Sequence, residues 1–470
     1  MSAARTLLAS SAATAAAAAV TLVAVPLAAQ QPTTTPAAST ASAQQNPGRI
    51  AAERYVLPNG LKVILAPNHT SQVVAVDVWY DVGSRNEQPT RTGFAHLFEH
   101  MMFQGSAHVK KGEHFQLIER AGGELNGSTA DDRTNYYETL PSNRLNLGLW
   151  LEADRMRSLA VTQANLDNQR EAVKEERRLR VDNQAYQKAF REGLPQAFDS
   201  ATCFGYAHVG IGSMDDLNAA KLEDVQAFFK QYYAPNNATL VVAGDFQPAE
   251  AKRLVEQYFS GIPRVDAPPP VQCAQQFNRG QKRLRYPDAK ATLPAVVQAY
   301  LIPEYKSDDW PALDLLSTIL GQGESSRLNV RLGREAKATV AAQAYAGLGP
   351  RRGPNVFLLF GVANQGVPAD SVDRLLAAEA ARVAAEGVTE AELTKAKNAF
   401  RASTIEDRQE AFNVAEALHT ADMFLGSYDA VNTMVDRYAK VTADDVKRVA
   451  ATYLRPDNST VITIVPEAGK

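Results

Sequence analysis

Cysteine is nearly missing from this chain, with only Cys203 and Cys273 among 470 residues. Two thiols cannot build a cysteine-rich zinc site or a disulfide framework, so any metal must be held by histidine and carboxylates. Whether the two pair is open: an oxidising compartment permits a bridge, and free buried thiols fit the sequence equally well. An excess of charge of one sign is also lacking. With 49 Lys and Arg against 52 Asp and Glu the formal charge is −3, which excludes a nucleic-acid binder driven by bulk positive charge. Histidine is scarce, at 7, so a cluster of it carries information. Long uncharged apolar runs are absent too, except at the start of the chain.

That exception follows Arg5: an Ala-rich stretch from Leu7 to Val25, then Pro26, Leu27, Ala28 and Ala29. A basic residue, an apolar run and a small-residue cleavage site read as an export signal over residues 1–29, with the cut expected after Ala29. An uncleaved anchor is the alternative, because the run approaches the ~20 residues that span a bilayer. Its alanine content makes it weakly apolar, and no cysteine stands at the cut to carry a lipid. Residues 30–48 are mostly Gln, Thr, Pro, Ala and Ser without an aromatic, a low-complexity tether. Export implies a periplasmic location with no stable membrane span after the signal is removed. Beyond the tether, a chain that is 45% apolar and 21% charged has the composition of a globular protein.

An internal repeat organises this remainder. LEDVQAFFKQYYAPNNATLVVAGD from Leu222 matches ADDVKRVAATYLRPDNSTVITIVP from Ala443, with Tyr232, Pro235, Asn237 and Thr239 recurring 221 residues later. Each copy predicts an amphipathic helix, a Pro-Asn turn and a β-branched strand, so two related halves are expected rather than three domains. The boundaries expected are 49–264 for the first half, 265–285 for a Pro-rich linker and 286–470 for the second. Asn59-Gly60 predicts a hairpin, and strands alternate with helical patterns in both halves. This mixture indicates an α+β fold, helices packed on one side of a largely antiparallel sheet.

The chemistry lies in Gly93-Phe94-Ala95-His96-Leu97-Phe98-Glu99-His100. On a helix, His96 and His100 are four residues apart and project from one face, where both imidazoles reach one ion. Glu99 stands next to them and can take a proton from a water without being a ligand. This H-x-x-E-H order is a metallopeptidase signature; two surface histidines beside a glutamate are the bland alternative. The third ligand should be a carboxylate from another element. Glu171, Glu175 and Glu176 on the helix NQREAVKEERR are candidates, although most charges there read as a solvated face.

An H-x-x-E-H helix followed 76 residues later by Glu176 resembles the M16 metallopeptidases, the family of pitrilysin, insulinase and mitochondrial processing peptidase. Gly122 to Thr129 and Asp132 to Tyr136 are similar to the family's substrate-side edge strand. His208 to Leu217 and Tyr232 to Asp245 also match, so the likeness runs from Glu53 to Pro466. The resemblance implies a zinc endopeptidase made of two homologous sandwich domains. Zinc (Zn2+) would sit on His96, His100 and Glu176, with Glu99 as general base and Asn126 and Tyr136 as substrate-binding residues. Gln169 occupies a position where many relatives carry a second glutamate, which alters the surroundings of the ligands without removing one. Two-domain members resemble the processing-peptidase subgroup, in which a homologous partner closes the chamber. Many members also grip the substrate with an Arg and, seven residues on, a Tyr. Here Gly333 and Val340 take those places. A heterodimer with a homologous subunit that donates the Arg and Tyr is therefore expected, a homodimer being the alternative. A non-catalytic structural relative, or a metal- or peptide-binding module, would share the fold; the intact His96, Glu99, His100 and Glu176 argue against the first.

Overall fold

The computed structural model describes residues 48–277 and 279–467. The export signal expected over 1–29, and all but the last residue of the tether, lie outside the described residues. Asn59-Gly60 forms the expected hairpin. Gly60 has φ +95° and its N–H donates to Leu57 O, while the Asn59 amide donates to Phe259 O and Ile262 O. That left-handed conformation suits glycine, which has no Cβ to clash.

The hairpin joins β1 (Glu53–Val56) to β2 (Lys62–Pro67). They share a six-stranded sheet with β3 (Val73–Tyr80), β4 (Glu124–Thr129), β5 (Thr134–Pro141) and β6 (Ala238–Gly244), in the order β1-β2-β6-β3-β5-β4. A second, five-stranded sheet contains β7 (Lys282–Asp288), β8 (Ala295–Ile302), β9 (Thr339–Ala346), β10 (Asn355–Ala363) and β11 (Ser459–Pro466), ordered β7-β11-β8-β10-β9. The β2/β6 and β7/β11 pairs are parallel and the other pairs antiparallel. Apart from β1, which has no counterpart among the described residues, the two orders correspond strand for strand, so β9 in the second half is the counterpart of edge strand β4 in the first. The expected linker is shorter than 265–285, because pairing with β11 draws the chain into β7 from Lys282 onward.

The repeat has a visible cause. Asn237 Nδ2 donates to Tyr232 O at 2.9 Å and to Asp81 O at 3.3 Å; Asn458 Nδ2 donates to Tyr453 O and Leu301 O, both at 2.8 Å. In each half one amide satisfies a carbonyl at a helix end and ties it to the neighbouring strand.

Helices cover one face of each sheet, as expected; those that matter for the site are α1 (Phe94–Met101), α2 (Glu113–Arg120), α3 (Leu145–Ser158) and α4 (Gln163–Arg177). The opposite face of each sheet is closed by the other half. The helix Ala411–Thr420 sets Val414, Ala415 and Leu418 against Ile64, Ala66, Val241 and Ala243. In return α5 (Gln187–Gly193) and the chain after it set Ala189, Leu194 and Phe198 against Val297, Leu358 and Ile462. Strands buried on both faces read as continuous apolar runs, which explains VVAVDVWY in β3. Cys203 lies in the same cluster and is disulfide-bonded to Cys273, which fastens the linker to it. Among the described residues no helix is long and apolar enough to cross a membrane.

Candidate metal centre

Helix α1 begins at a position only glycine can fill. Gly93 has φ +85°, and a Cβ there would meet Ile211 O at 2.7 Å and Gly212 Cα at 2.8 Å. Glu87 caps the first turn: Gly93 N–H donates to Oε2 and Ala95 N–H to Oε1, each at 2.8 Å. A carboxylate at that end also complements the positive end of the helix dipole. His208 Nε2 lies 2.9 Å from Glu87 Oε2, and its Nδ1 lies 2.9 Å from Phe204 O. Phe94, Ala95, Leu97, Phe98 and Met101 are buried, which turns His96, Glu99 and His100 to the other face of α1.

Glu176 comes from the last turn of α4, which packs on α1. Its Oε2 lies 3.1 Å from His100 Nε2 and 3.6 Å from His96 Nε2. Ligand atoms ~2.0–2.1 Å from a tetrahedral zinc ion lie roughly 3.3–3.4 Å apart, so the two separations bracket what zinc needs. Gln169 Oε1 faces His100 Nδ1 at 3.2 Å, so with Nδ1–H given to the amide, Nε2 would be free for a metal in place of its present hydrogen bond to Glu176. His96 Nδ1 is buried with no hydrogen-bond partner among the described residues. Burial, with His100 beside it, pulls the His96 imidazole down to about 4, so the ring is neutral and available as a donor. The His100 hydrogen bond holds the Glu176 carboxyl below its ordinary range, whereas burial pushes Glu99 up. Arg180, one turn beyond Glu176, pairs with the other carboxylate oxygen, Oε1, at 2.9 Å. Two imidazoles and one carboxylate fit zinc and leave a coordination position open; other divalent ions accept the same donors.

The structure thus brings His96, His100 and Glu176 together, with Glu99 alongside and outside the donor set. Glu171 and Glu175 are exposed and pair with Lys174 and Arg178 at 2.8 and 3.0 Å, the solvated face that charge pattern suggested. Asn126 is exposed on edge strand β4, where its Oδ1 accepts from Gly127 N–H at 2.9 Å. Strand alternation points its side chain away from the face on which Thr129 meets Glu99. Tyr136 requires a correction. It is fully buried in the first half, its hydroxyl 3.3 Å from that of Tyr233 and the Arg155 guanidinium 4.6 Å from its ring centre. Its position in β5 turns it into the core, so it packs beneath α1 and cannot touch a substrate. Three residues with roles here escaped the sequence reading: Thr129, Glu87 and His208. His208 did stand in a segment resembling the family, but no spacing rule linked it to Glu87, 121 residues away.

An H-x-x-E-H helix and a carboxylate from a second helix, set beside the open edge of a mainly antiparallel sheet, define the inverted-motif class of metallopeptidase. The comparisons agree. Residues 62–204 match the profile described as Insulinase (Peptidase family M16), and residues 219–400 match the one described as Peptidase M16 inactive domain. The chain is similar to the zinc protease PqqE of Helicobacter pylori, 30% identical over 418 residues, which is 88% of this chain and 93% of that one. It is also similar to the probable mitochondrial-processing peptidase subunit beta of Arabidopsis thaliana, 24% identical over 87% of this chain and 77% of the relative. The crystal structure of a protease from Helicobacter pylori superposes with a TM-score of 0.83 at 28% identity, covering 89% of this chain and 100% of the other. This chain belongs to peptidase family M16. The second profile's description accords with a C-terminal half in which, among the described residues, no group of histidines and carboxylates could hold a metal.

Proposed function

We propose that this chain is the catalytic subunit of an exported zinc-dependent endopeptidase that hydrolyses small or unfolded peptides. The observation that carries the reading is the convergence of donor atoms from His96, His100 and Glu176 within 4.8 Å of one another, with Glu99 on the same face of α1. Zinc held there would supply Lewis acidity, polarising the scissile carbonyl and acidifying a water. Glu99 accepts the proton of the attacking water and returns it to the leaving amine. Edge strand β4 receives the substrate as an added strand, with Asn126 on its exposed side helping to orient it. Main-chain pairing of this kind ignores most side chains and favours peptides without fixed structure.

The grip on the far side of the substrate comes from a partner in this reading. Gly333 has no side chain to offer, and Val340, on the counterpart edge β9, is 57% exposed and apolar. A homologous subunit that brings an arginine and a tyrosine would complete the site, and the likeness to a chain named as a subunit supports that arrangement. The leader composition supports a periplasmic location.

The test is zinc-reconstituted protein, alone and mixed with a candidate homologous subunit, assayed on an unfolded peptide pool by mass spectrometry. Cleavage is expected in the mixture. Glu99→Gln should keep one zinc per chain and lose about 10²–10⁴-fold in kcat. Wild-type protein that retains no zinc, or a Glu99→Gln variant with undiminished turnover, refutes the reading.

A further inference from the structure

Only one hydrogen bond among the described side chains reaches the Glu99 carboxylate: Thr129 Oγ1 donates to Oε2 at 2.6 Å. Thr129 is the last residue of β4, so the group that holds the base sits on the strand that receives the substrate. Its own position is well fixed. It pairs with Thr134 of β5, and the turn beyond it is closed by Ala130 N–H donating to Arg133 O at 2.8 Å. Arg133 in turn donates to Ser128 O at 2.9 Å. A β-branched side chain on such a backbone has few rotamers, so its hydroxyl is aimed rather than free to search. Neighbours on the same face of β4 cannot substitute for it, since Leu125 and Gly127 carry no side-chain donor. Gly127 leaves little room for one: a Cβ there would lie 3.1 Å from Asn135 O and 3.3 Å from Phe103 Cε2.

We infer that Thr129 is a positioning residue for Glu99, holding the carboxylate by Oε2, reserving Oε1 for the proton, and linking the seating of a peptide on β4 to the alignment of the base. The inference rests on the proposed hydrolytic function. A free glutamate can swing about three side-chain torsions; one bond from a rigid strand removes most of that freedom. Misplacement of a reacting group by about 1 Å can cost on the order of 10²-fold in rate, so the bond is worth a measurable fraction of turnover.

Thr129→Val keeps the shape and deletes the donor, and Thr129→Ser keeps the donor. Each is compared with wild type and Glu99→Gln for kcat, KM, zinc content, zinc affinity by chelator competition, and the position of Glu99 in a crystal structure. Thr129→Val is expected to lower kcat about 10- to 100-fold, with KM within about twofold and zinc binding unchanged. Its Glu99 carboxylate should turn away from the wild-type position. Thr129→Ser should recover kcat to within about threefold and return the carboxylate. The inference is overturned if Thr129→Val turns over like wild type, if Ser and Val are equally impaired, or if the loss lies in KM or zinc affinity instead. All rates are measured with the homologous subunit present; should wild-type protein in that mixture cleave nothing, the hydrolytic reading fails while the carboxylate position still decides the role of Thr129.

Discussion

Glu87→Ala should destabilise the apoprotein and loosen its grip on zinc, although Glu87 touches neither histidine ligand. The buried Glu87 carboxylate receives Gly93 N–H and Ala95 N–H at 2.8 Å each and faces His208 Nε2 at 2.9 Å. Alanine leaves two backbone donors at the start of α1 and one imidazole nitrogen without a partner. A buried donor left unsatisfied costs about 1–3 kcal/mol, so three of them amount to roughly 3–9 kcal/mol if the site stays dry. At about 2.1 cal/mol/K per residue over roughly 420 residues, the unfolding entropy is near 0.9 kcal/mol/K, and the expected fall in Tm is about 3–10 °C. His96 sits one residue after the Ala95 N–H that Glu87 holds, so fraying of this turn displaces a ligand directly. Zinc affinity should fall about 10-fold or more, the scale seen when groups that orient ligands are removed. Calorimetry of the zinc-free protein measures the first quantity and chelator competition the second. A zinc-free variant that melts within about 1 °C of wild type would show that water replaces the carboxylate, and the capping argument would be wrong. Glu87→Gln is the sharper control, because its amide can accept from only one of the two backbone donors.

Two further outcomes follow from packing and charge. Leu418→Ala removes a fully buried side chain that the second half sets against the first half's sheet, at a cost of about 2–5 kcal/mol. Because each half closes the other's sheet, calorimetry should show one transition shifted downward; two resolved transitions with only one moved would refute the reciprocal packing. Glu392 accepts from Arg327 Nε at 2.7 Å and from Thr389 N–H at 2.8 Å, and the Arg327 hydrogen bond is the main reason its carboxyl is held down at about 2. A depressed carboxyl stabilises the fold above the unfolded value of about 4.5, and that gain is lost as pH falls toward the folded value. Glu392→Gln should therefore cost about 1–2 kcal/mol near pH 6, discounted for solvent screening at this partly exposed site. Urea unfolding should show the difference from wild type shrinking between pH 4.5 and 3, and a constant difference would rule out the ion pair as its source.

What the sequence made legible, and what it did not, divides along a physical line. Periodicity is local, so the spacing of His96, Glu99 and His100 on one helix could be read from the chain, as could the hairpin at Asn59-Gly60 and the Pro-Asn turns of the repeat. Glu176 was different. Charge pattern placed it among solvated neighbours, and only likeness to a family singled it out from Glu171 and Glu175. The mutual covering of the two sheets lay beyond local pattern altogether, although β3 carried a trace of it in a run too apolar for a strand with one wet face.

The misplacement of Tyr136 and the omission of Thr129 have a common origin. Both lie in or beside a stretch that resembles the family's substrate strand, and a resemblance names a segment without saying which face each side chain takes. Along a strand that face changes at every residue. The register pairs Gly127 with Tyr136 and Thr129 with Thr134, which puts Tyr136 on the core side, under Phe103 and Arg155. The same parity that buries Tyr136 turns the Thr129 hydroxyl toward Glu99 and sends Asn126 the other way. A count of positions along β4 from the Thr129–Glu99 hydrogen bond would have sorted all three, but that bond joins residues 30 apart and exists only once sheet and helix have packed. The half of the site legible from sequence is therefore the half carried on a single helix; the half that orients it depends on the sheet edge beside that helix.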